Sequence, residues 1–428
     1  MLSKEENELL TQTNAGTPMG KLMRSYWIPA LLSEEVPAPD CPPVRVRMLG
    51  EELVAFRDSE GRIGLIGEHC AHRGTSLFFG RNEECGLRCV YHGWKYDVEG
   101  HVIETPAEPQ DSDFRKKLRH TAYPTHEANG VIHAYLGPRE KMPLFPNYEW
   151  IQAPLQNTYV TKCLLESNYL QGLEGECDSS HLSFLHRTFI NERNQPPLYK
   201  SDTAPFYETE ETDFGVRLIA TRNTENQHYL RFSAFIMPVY GCVPAGRPTN
   251  EIEGYEIHSY VPADDTHCWR YDIGFRRDRA VREDEVHRRK QINPDYTRVR
   301  NARNHYLQDR RMQKTANFTG IEDFLNHDAC ATESMGAIFD RSKEHLGVSD
   351  KAVIAVRKFL LNSARQVQNG REPPHVVRDA RYNWFPHIDC FAHILPRNVP
   401  WREHFDHLTP SARKENPASF AARQKVAS

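Results

Sequence analysis

From Val44 the chain alternates apolar and polar residues in short runs broken by turns, the pattern of small antiparallel strands. Val44, Val46 and Met48 alternate with polar residues, Leu53–Phe56 meets the turn at Asp58–Gly61, and Ile63–Ile66 follows. Turns at Glu99-Gly100 and Asn129-Gly130 precede a last strand over Val131–Leu136. These runs predict an all-β domain over residues 43–147, closed by a linker that carries Pro138, Pro143, Pro146 and Pro154. Ahead of it, residues 1–42 read as a helical lead-in with Leu22, Met23, Tyr26, Trp27 and Ile28, expected to pack on the domain that follows. Beyond Tyr159 a helical stretch around Leu164–Leu173 runs into an Asp/His-rich segment. Alternating runs then come in succession at Gly215–Ala220, Tyr229–Met237, Glu256–Val261 and Trp269–Phe275, which predicts an antiparallel sheet. Residues 279–313 read as charged and helical. A final helix starts at Ser349 or Asp350, good N-cap types, and carries Val353, Ile354, Val356, Phe359 and Leu360. The expected fold class is α+β: the β-domain, then a larger domain over 155–428 whose antiparallel sheet is flanked by helices in a helix-grip-like arrangement.

Composition narrows the function. A length of 428 residues predicts two to three domains, and a net charge of −4 argues against a nucleic-acid binder. Basic runs such as Arg276-Arg277-Asp278-Arg279 and His287-Arg288-Arg289-Lys290 are mixed with acids and read as a solvated helix face. Residues 1–12 are acidic and polar without a signal pattern, and no stretch approaches the roughly 18 apolar residues of a membrane span, so the expected location is cytoplasmic. The ten cysteines are scattered and several neighbour histidines, which favours metal ligation and free thiols over a disulfide framework.

Two mixed pairs carry the strongest signal: Cys70-Ala71-His72 and Cys89-Val90-Tyr91-His92. Zinc modules usually place cysteines first and histidines later, although structural zinc stays an alternative. Mixed pairs suit a [2Fe–2S] cluster with two thiolates on one iron and two imidazoles on the other, the Rieske arrangement. Gly74 and Gly93, close behind the histidines, allow tight turns that offer N–H groups to the cluster sulfurs. Cys85 reads as a bystander. The strings CAHRG and CVYHGWKYD resemble the ligand loops of bacterial aromatic-ring-hydroxylating oxygenases. Rieske proteins of respiratory complexes carry an extra cysteine in each loop and a serine after the second His-Gly; here those positions hold Thr75, Tyr91 and Trp94. A potential toward the low end of the Rieske range is therefore expected, suited to electrons from a reductase.

A second constellation reads Glu174-x3-Asp178-x2-His181-x4-His186. Non-haem iron oxygenases use two histidines and one carboxylate and leave positions open for O2 and substrate. On a regular helix, histidines five apart point about 140° away from each other, so both can meet one metal only if the helix breaks, plausibly at Asp178-Ser179-Ser180. The spacing resembles the mononuclear iron motif of the same oxygenases. That resemblance implies a third ligand far downstream, in an Asp-x4-Glu pattern that Asp328 to Glu333 fits, with Asp323 as competitor and His327 as a non-ligand neighbour. It also implies that Asp178 bridges the cluster ligand His92 of one subunit to His181 of the next. Glu174 would stand behind the iron ligands and Asn168 near the iron.

The chain has no Gly-rich nucleotide loop and no ferredoxin-type cysteine spacing, so a separate NAD(P)H-dependent reductase must supply electrons for reductive O2 activation. Nearly the whole chain resembles the phthalate 4,5-dioxygenase type of Rieske oxygenase, including GTPMGKLMRSYWIPALLSEE and DCPPVRVRMLGE. The resemblance implies homotrimers or stacked trimers and an aromatic carboxylate substrate. It leaves open ring dioxygenation, O-demethylation and diaryl-ether cleavage, and at a greater remove a pure electron carrier. One clue comes from the residues: Leu230, Phe232, Ala234 and Ile236 form one apolar face of a strand and leave Arg231 on the other, placed to bind a substrate carboxylate or to serve as a structural arginine.

Overall fold

The computed structural model describes residues 1–109, 112–189, 202–245, 253–385 and 387–408, without the side chains of 287–290 and 406–408. Helices α1 (Lys4–Thr11) and α2 (Pro18–Arg24) open the chain. Ser3 caps α1 in a reciprocal box with Glu6, and Thr17 caps α2, whose first residue is Pro18. The lead-in then departs from the expected helix: Trp27–Leu32 is strand β1, fully buried and paired antiparallel with β10 (Val131–Tyr135). Pro29 has no N–H for a helix and falls at the irregularity in the pairing with β10.

Strands β2 (Val44–Met48), β3 (Glu51–Arg57) and β4 (Ile63–Gly67) form one three-stranded sheet. Strands β5 (Arg81–Glu83), β6 (Gly86–Arg88), β7 (Lys95–Tyr96) and β8 (Val102–Glu104) form a four-stranded one. Strand β9 (Thr125–Ala128) completes a third sheet with β10 and β1. A private core of Val54, Phe56, Ile66, Leu77, Leu87 and Val102 sits beneath the two Cys/His loops.

After the one-turn helix α3 (Glu149–Gln152), the larger domain is an eight-stranded antiparallel sheet. Its strands are β11 (Thr158–Leu165), β12 (Phe206–Glu211), β13 (Gly215–Asn223), β14 (Gln227–Ile236), β15 (Tyr240–Pro244), β16 (Gly254–Pro262), β17 (Cys268–Arg276) and β18 (Ala392–Pro396). The order is β11-β17-β16-β15-β14-β13-β12, and β18 pairs with the first half of β14. The expected helix at Leu164–Leu173 is half strand: β11 runs to Leu165, and α4 (Tyr169–Cys177) starts only where Asn168 accepts a cap bond from the Leu170 N–H. Residues 279–313 also depart from a helix. They hold 3-10 segments Glu283–Gln291 and Ala302–Leu307 before the single turn α5 (Met312–Thr315). His305, Tyr306 and Leu307 all take positive φ (51°, 55° and 48°), which a continuous helix does not accommodate. Helix α6 (Phe324–Glu333) follows, then α7 (Lys351–Gln368) starts after Asp350, and α8 (Trp401–Leu408) is the last described element. Val353, Val356, Phe359 and Leu360 are buried, while Ile354 is exposed.

The lead-in packs on the larger domain, with α1 and α2 against α7 and one continuous core joining them to the sheet. The β-domain is tied to the same body. The Leu49 and Gly50 N–H groups donate to the Pro262 and Ala263 carbonyls and the Trp269 indole N–H donates to the Arg47 carbonyl, while Glu35 of the lead-in pairs with buried Lys162 at 2.7 Å. His133 on β10, between β1 and β9, is 3% exposed, with the Phe145 ring 5.1 Å away. Burial drives its imidazole pKa down to about 3. The unfolded chain takes up a proton near pH 6.5 that the folded chain refuses, so stability falls as pH drops from about 6.5 toward 3. His133→Leu should remove this contribution, about 2 kcal/mol at pH 5. Thermal melts at pH 7 and pH 5 should therefore lie closer together for the variant than for the parent; an unchanged gap would refute the assignment.

Candidate metal centres

The two Cys/His loops fold alike. Cys70 N–H donates to the Thr75 carbonyl and Gly74 N–H to the Cys70 carbonyl; Cys89 N–H donates to Trp94 and Gly93 N–H to Cys89. Each loop turns on a glycine with positive φ, 73° at Gly74 and 75° at Gly93. The turns bury Cys70 and Cys89, and they bring the His72 and His92 rings to 4.5 Å with both partly exposed. Two buried thiols inside and two imidazoles outside fit a [2Fe–2S] cluster with sulfur ligands on the inner iron and nitrogen ligands on the outer one. Trp94, where respiratory proteins have serine, stacks on His72 at 4.7 Å. Tyr96 supplies a bond that the sequence reading missed. Its oxygen accepts from the Ala71 N–H at 3.1 Å and lies 3.0 Å from Cys70 Sγ, to which its hydroxyl would donate once that sulfur is a cluster thiolate.

The second centre forms where α4 stops. Asp178 is extended (φ −93°, ψ 116°), and its carboxylate accepts from the Ser180 and His181 N–H groups at 2.6 and 3.2 Å. This Asx-type turn starts the 3-10 segment Ser180–Ser183, and the changed direction lets both histidines face one point. Donor atoms of His181, His186 and Asp328 lie within 4.8 Å of one another, with His186 Nε2 2.9 Å from Asp328 Oδ1. Two imidazoles and one carboxylate fit a non-haem iron with open positions. Asp178 Oδ2 stands 3.5 Å from His181 Nδ1, and the Tyr207 hydroxyl donates to Oδ1 at 3.2 Å. Burial alone would raise the Asp178 pKa, but the bonds from His181 and Ser180 hold it below the ordinary value.

Arg270, buried on β17, reaches Asp272 at 2.9 Å, Asp328 Oδ2 at 3.4 Å and Glu176 at 3.6 Å. His258 lies between Glu176 (2.8 Å) and Asp272 (3.3 Å), and the Tyr260 hydroxyl donates to Glu176 at 2.6 Å. Burial opposes ionisation of Glu176, yet His258 and Arg270 prevail and bring its pKa down to about 2. Glu176, His258, Tyr260, Arg270 and Asp272 escaped the sequence reading because no spacing links α4, β16 and β17.

Other expected residues stand elsewhere. Glu174 is not paired with His181, His186 or Asp328: it is clamped by Arg341 at 2.8 Å and Arg357 at 2.6 Å, which fixes α4. Asn168 spends its amide on the α4 cap and on the Thr11 and Asp265 carbonyls, and it does not line the cavity. Asp323 caps α6 through the Leu325 N–H. Arg231 does line the cavity, a space of about 1300 Å³ that also reaches His181, His186 and Asp328.

Residues 26–124 match the Rieske [2Fe-2S] domain, and residues 134–420 match the family described as LigXa C-terminal domain like. The chain is 38% identical to the phthalate 4,5-dioxygenase oxygenase subunit of Pseudomonas putida, over 94% of this chain and 95% of the relative. The chain is an oxygenase subunit of the Rieske non-haem iron oxygenases. It is also 35% identical to the 3-chlorobenzoate-3,4-dioxygenase oxygenase subunit of Comamonas testosteroni, over 95% and 98% of the two chains. The fold matches dicamba monooxygenase bound to dicamba at a TM-score of 0.57 and 17% identity, over 82% of this chain and 99% of that one. As a Rieske oxygenase it carries a [2Fe–2S] cluster and a mononuclear iron, and it takes electrons from a separate partner protein. Among the described residues no helix is long and apolar enough to cross a membrane.

The Tyr96 bond generates a prediction. A donor to a cluster thiolate favours the reduced, more negative state, so Tyr96→Phe should lower the Rieske potential by on the order of 50 mV, about one tenfold step for a one-electron couple. A redox titration followed by the cluster's visible absorbance measures it, and an unmoved midpoint with an intact cluster refutes it.

Proposed function

We propose that this Rieske oxygenase hydroxylates an aromatic carboxylate held by Arg231 above an iron bound by His181, His186 and Asp328. One observation carries the substrate class. Five arginines line the cavity, and four face acids: Arg270 with Asp272, Arg276 with Glu256, Arg282 with Asp284, and Arg357 with Glu174 and Glu344. Arg231 has no carboxylate partner among the described residues. A guanidinium left without an acid on a cavity wall suits a planar carboxylate by a two-point bond. Strand parity aims it there. Leu230 and Phe232 pack on Phe391, Leu395 and Phe405 behind the sheet, while Tyr229, Arg231 and Ser233 face the cavity.

The iron supplies O2 activation when bound, and the chain's residues set the stage for it. Arg270 holds Asp328 Oδ2, which leaves Oδ1 beside His186. Asp178, ionised and bonded to His181, is the reading's electron bridge from the cluster ligand His92 of a neighbouring copy. Two exposed apolar patches support head-to-tail assembly. Phe79, Val90, Tyr91 and Phe114 belong to the Rieske domain, and Phe184, Phe318, Phe324 and Met335 belong to the segments around the iron ligands. A patch meeting a different patch on the next copy closes a ring, in keeping with a trimer.

Single turnover under labelled O2 with phthalates, methoxylated benzoates and phenoxybenzoates tests the reaction. Two labelled atoms in one diol support ring dioxygenation; formaldehyde with a demethylated acid, or a cleaved ether, replaces that reading. Arg231→Gln should raise KM for the acid roughly 10- to 100-fold, the worth of a charge-assisted pair, and leave KM for the neutral amide analogue unchanged. Equal effects on acid and amide would remove Arg231 from substrate recognition. Asp178→Asn should keep both metals and slow oxidation of the reduced cluster by roughly 10- to 100-fold in stopped-flow absorbance. Wild-type oxidation kinetics would eliminate the bridge.

A further inference from the structure

His327 lies beside a proposed ligand, is 2% exposed, and has no role in the reaction as described above. Its Nε2 stands 2.8 Å from the Ile321 carbonyl oxygen, which can only accept, so Nε2 carries the ring's proton. The neutral ring then presents a bare lone pair at Nδ1. That lone pair faces His186 Nδ1 at 3.3 Å, with the two rings only 19° from parallel. At the other edge His186 Nε2 stands 2.9 Å from Asp328 Oδ1, close enough to share a proton with it. A cation bound between Nε2 and Asp328 takes the place of that proton, and the ring's one remaining hydrogen then sits on Nδ1, where the His327 lone pair accepts it.

We propose that His327 is a positioning residue that fixes the tautomer of His186 and makes Nε2 its metal-binding atom. This rests on the reading of His181, His186 and Asp328 as the iron ligands. His181 receives the same treatment from a different group, since Asp178 Oδ2 faces its Nδ1. The two ligand rings are thus oriented by unlike means: a carboxylate for one, and a backbone carbonyl acting through a second imidazole for the other. The local structure serves this arrangement. Asp323, at φ 71°, caps α6 so that His327 and Asp328 leave the first turns of one helix toward opposite edges of His186. The Phe324 ring closes over both imidazoles, 4.9 Å from His186 and 5.8 Å from His327. A neutral imidazole behind His186 also adds no negative charge, in contrast to Asp178 behind His181, so the two ligands differ in basicity.

The test uses the full-length protein with its Rieske cluster in place and cobalt(II) in the iron site. Cobalt affinity is titrated by its visible absorbance, and imidazole N–H protons are read as exchangeable, hyperfine-shifted proton resonances. The unaltered protein should show two such resonances, each identified as Nδ1–H by its nuclear Overhauser contact to that ring's own β-protons, as ligation through Nε2 requires. An Nε2–H on the His186 ring would overturn the proposal without any variant. His327→Phe keeps the ring and removes the acceptor; it should weaken cobalt binding roughly 10- to 100-fold and shift one N–H resonance. His327→Asn returns an oxygen near the position of Nδ1 and should restore most of the affinity, which a purely space-filling residue would not do. If His327→Phe binds cobalt as tightly as the parent with both resonances unmoved, His327 does not set the tautomer. His186→Ala separates the two readings: loss of cobalt supports the ligand set, while retained cobalt sinks the ligand set and not the tautomer argument alone.

Discussion

Two imidazoles five residues apart point about 140° away from each other on a continuous helix, so His181 and His186 can face one point only because the helix is interrupted, with α4 ending at Cys177. Asp178 enforces that end. Its carboxylate captures the next free N–H groups, those of Ser180 and His181, and starts a tighter turn before the helix can continue. The same side chain reaches His181 Nδ1, so the group that breaks the helix also orients the ring the break has freed. Tyr207 and the Arg222 guanidinium hold the segment from the far side, Tyr207 through the Ser179 N–H and Arg222 through the Ser179 carbonyl and hydroxyl.

A break placed this finely needs a fixed helix behind it. Glu174, one turn back, is clamped by Arg341 and Arg357, and Arg341 also bonds Asn7 of the lead-in. Glu176, two residues later, leads into the Tyr260, His258, Asp272 and Arg270 network that ends on Asp328. Buried ionic networks of this kind add little net stability, because desolvation cancels much of the attraction. What they supply is a single geometry, since any shift strands a charge in a dry interior. Helix α4 and Asp328 on α6 are therefore held to one spacing, although 150 residues separate Asp178 from Asp328.

This explains what could be read in the chain. The cluster loops were legible because each is local: ligands, glycines and turn fall within five residues. That the helix must be interrupted for His181 and His186 to meet was legible from helical geometry, and the interruption starts at Asp178, ahead of both. Asp328 was not; only resemblance pointed to it, because α6 meets α4 through tertiary packing. The Trp27–Leu32 strand was misread because its apolar residues fit either period, and its partner β10 lies 100 residues away. Residues 279–313 misled for the opposite reason: their charges fit a helix face, but local turns at Asn301 to Leu307 overrode the pattern. The contact between His327 and His186 could not be seen without the fold.

Around the iron site a common rule applies to each donor. Asp178 occupies the outer nitrogen of His181, His327 that of His186, and Arg270 the outer oxygen of Asp328. Each inner atom is then directed to one place, and an iron held by these three donors would keep positions open for O2 and substrate. The cations needed for this are consumed by it: Arg270 faces three carboxylates. Arg231, on the cavity wall and partly exposed, has no carboxylate partner among the described residues. On the proposed reading a substrate acid supplies that partner through a two-point bond, and selectivity for acids comes from this one arginine and not from an extra contact at the metal.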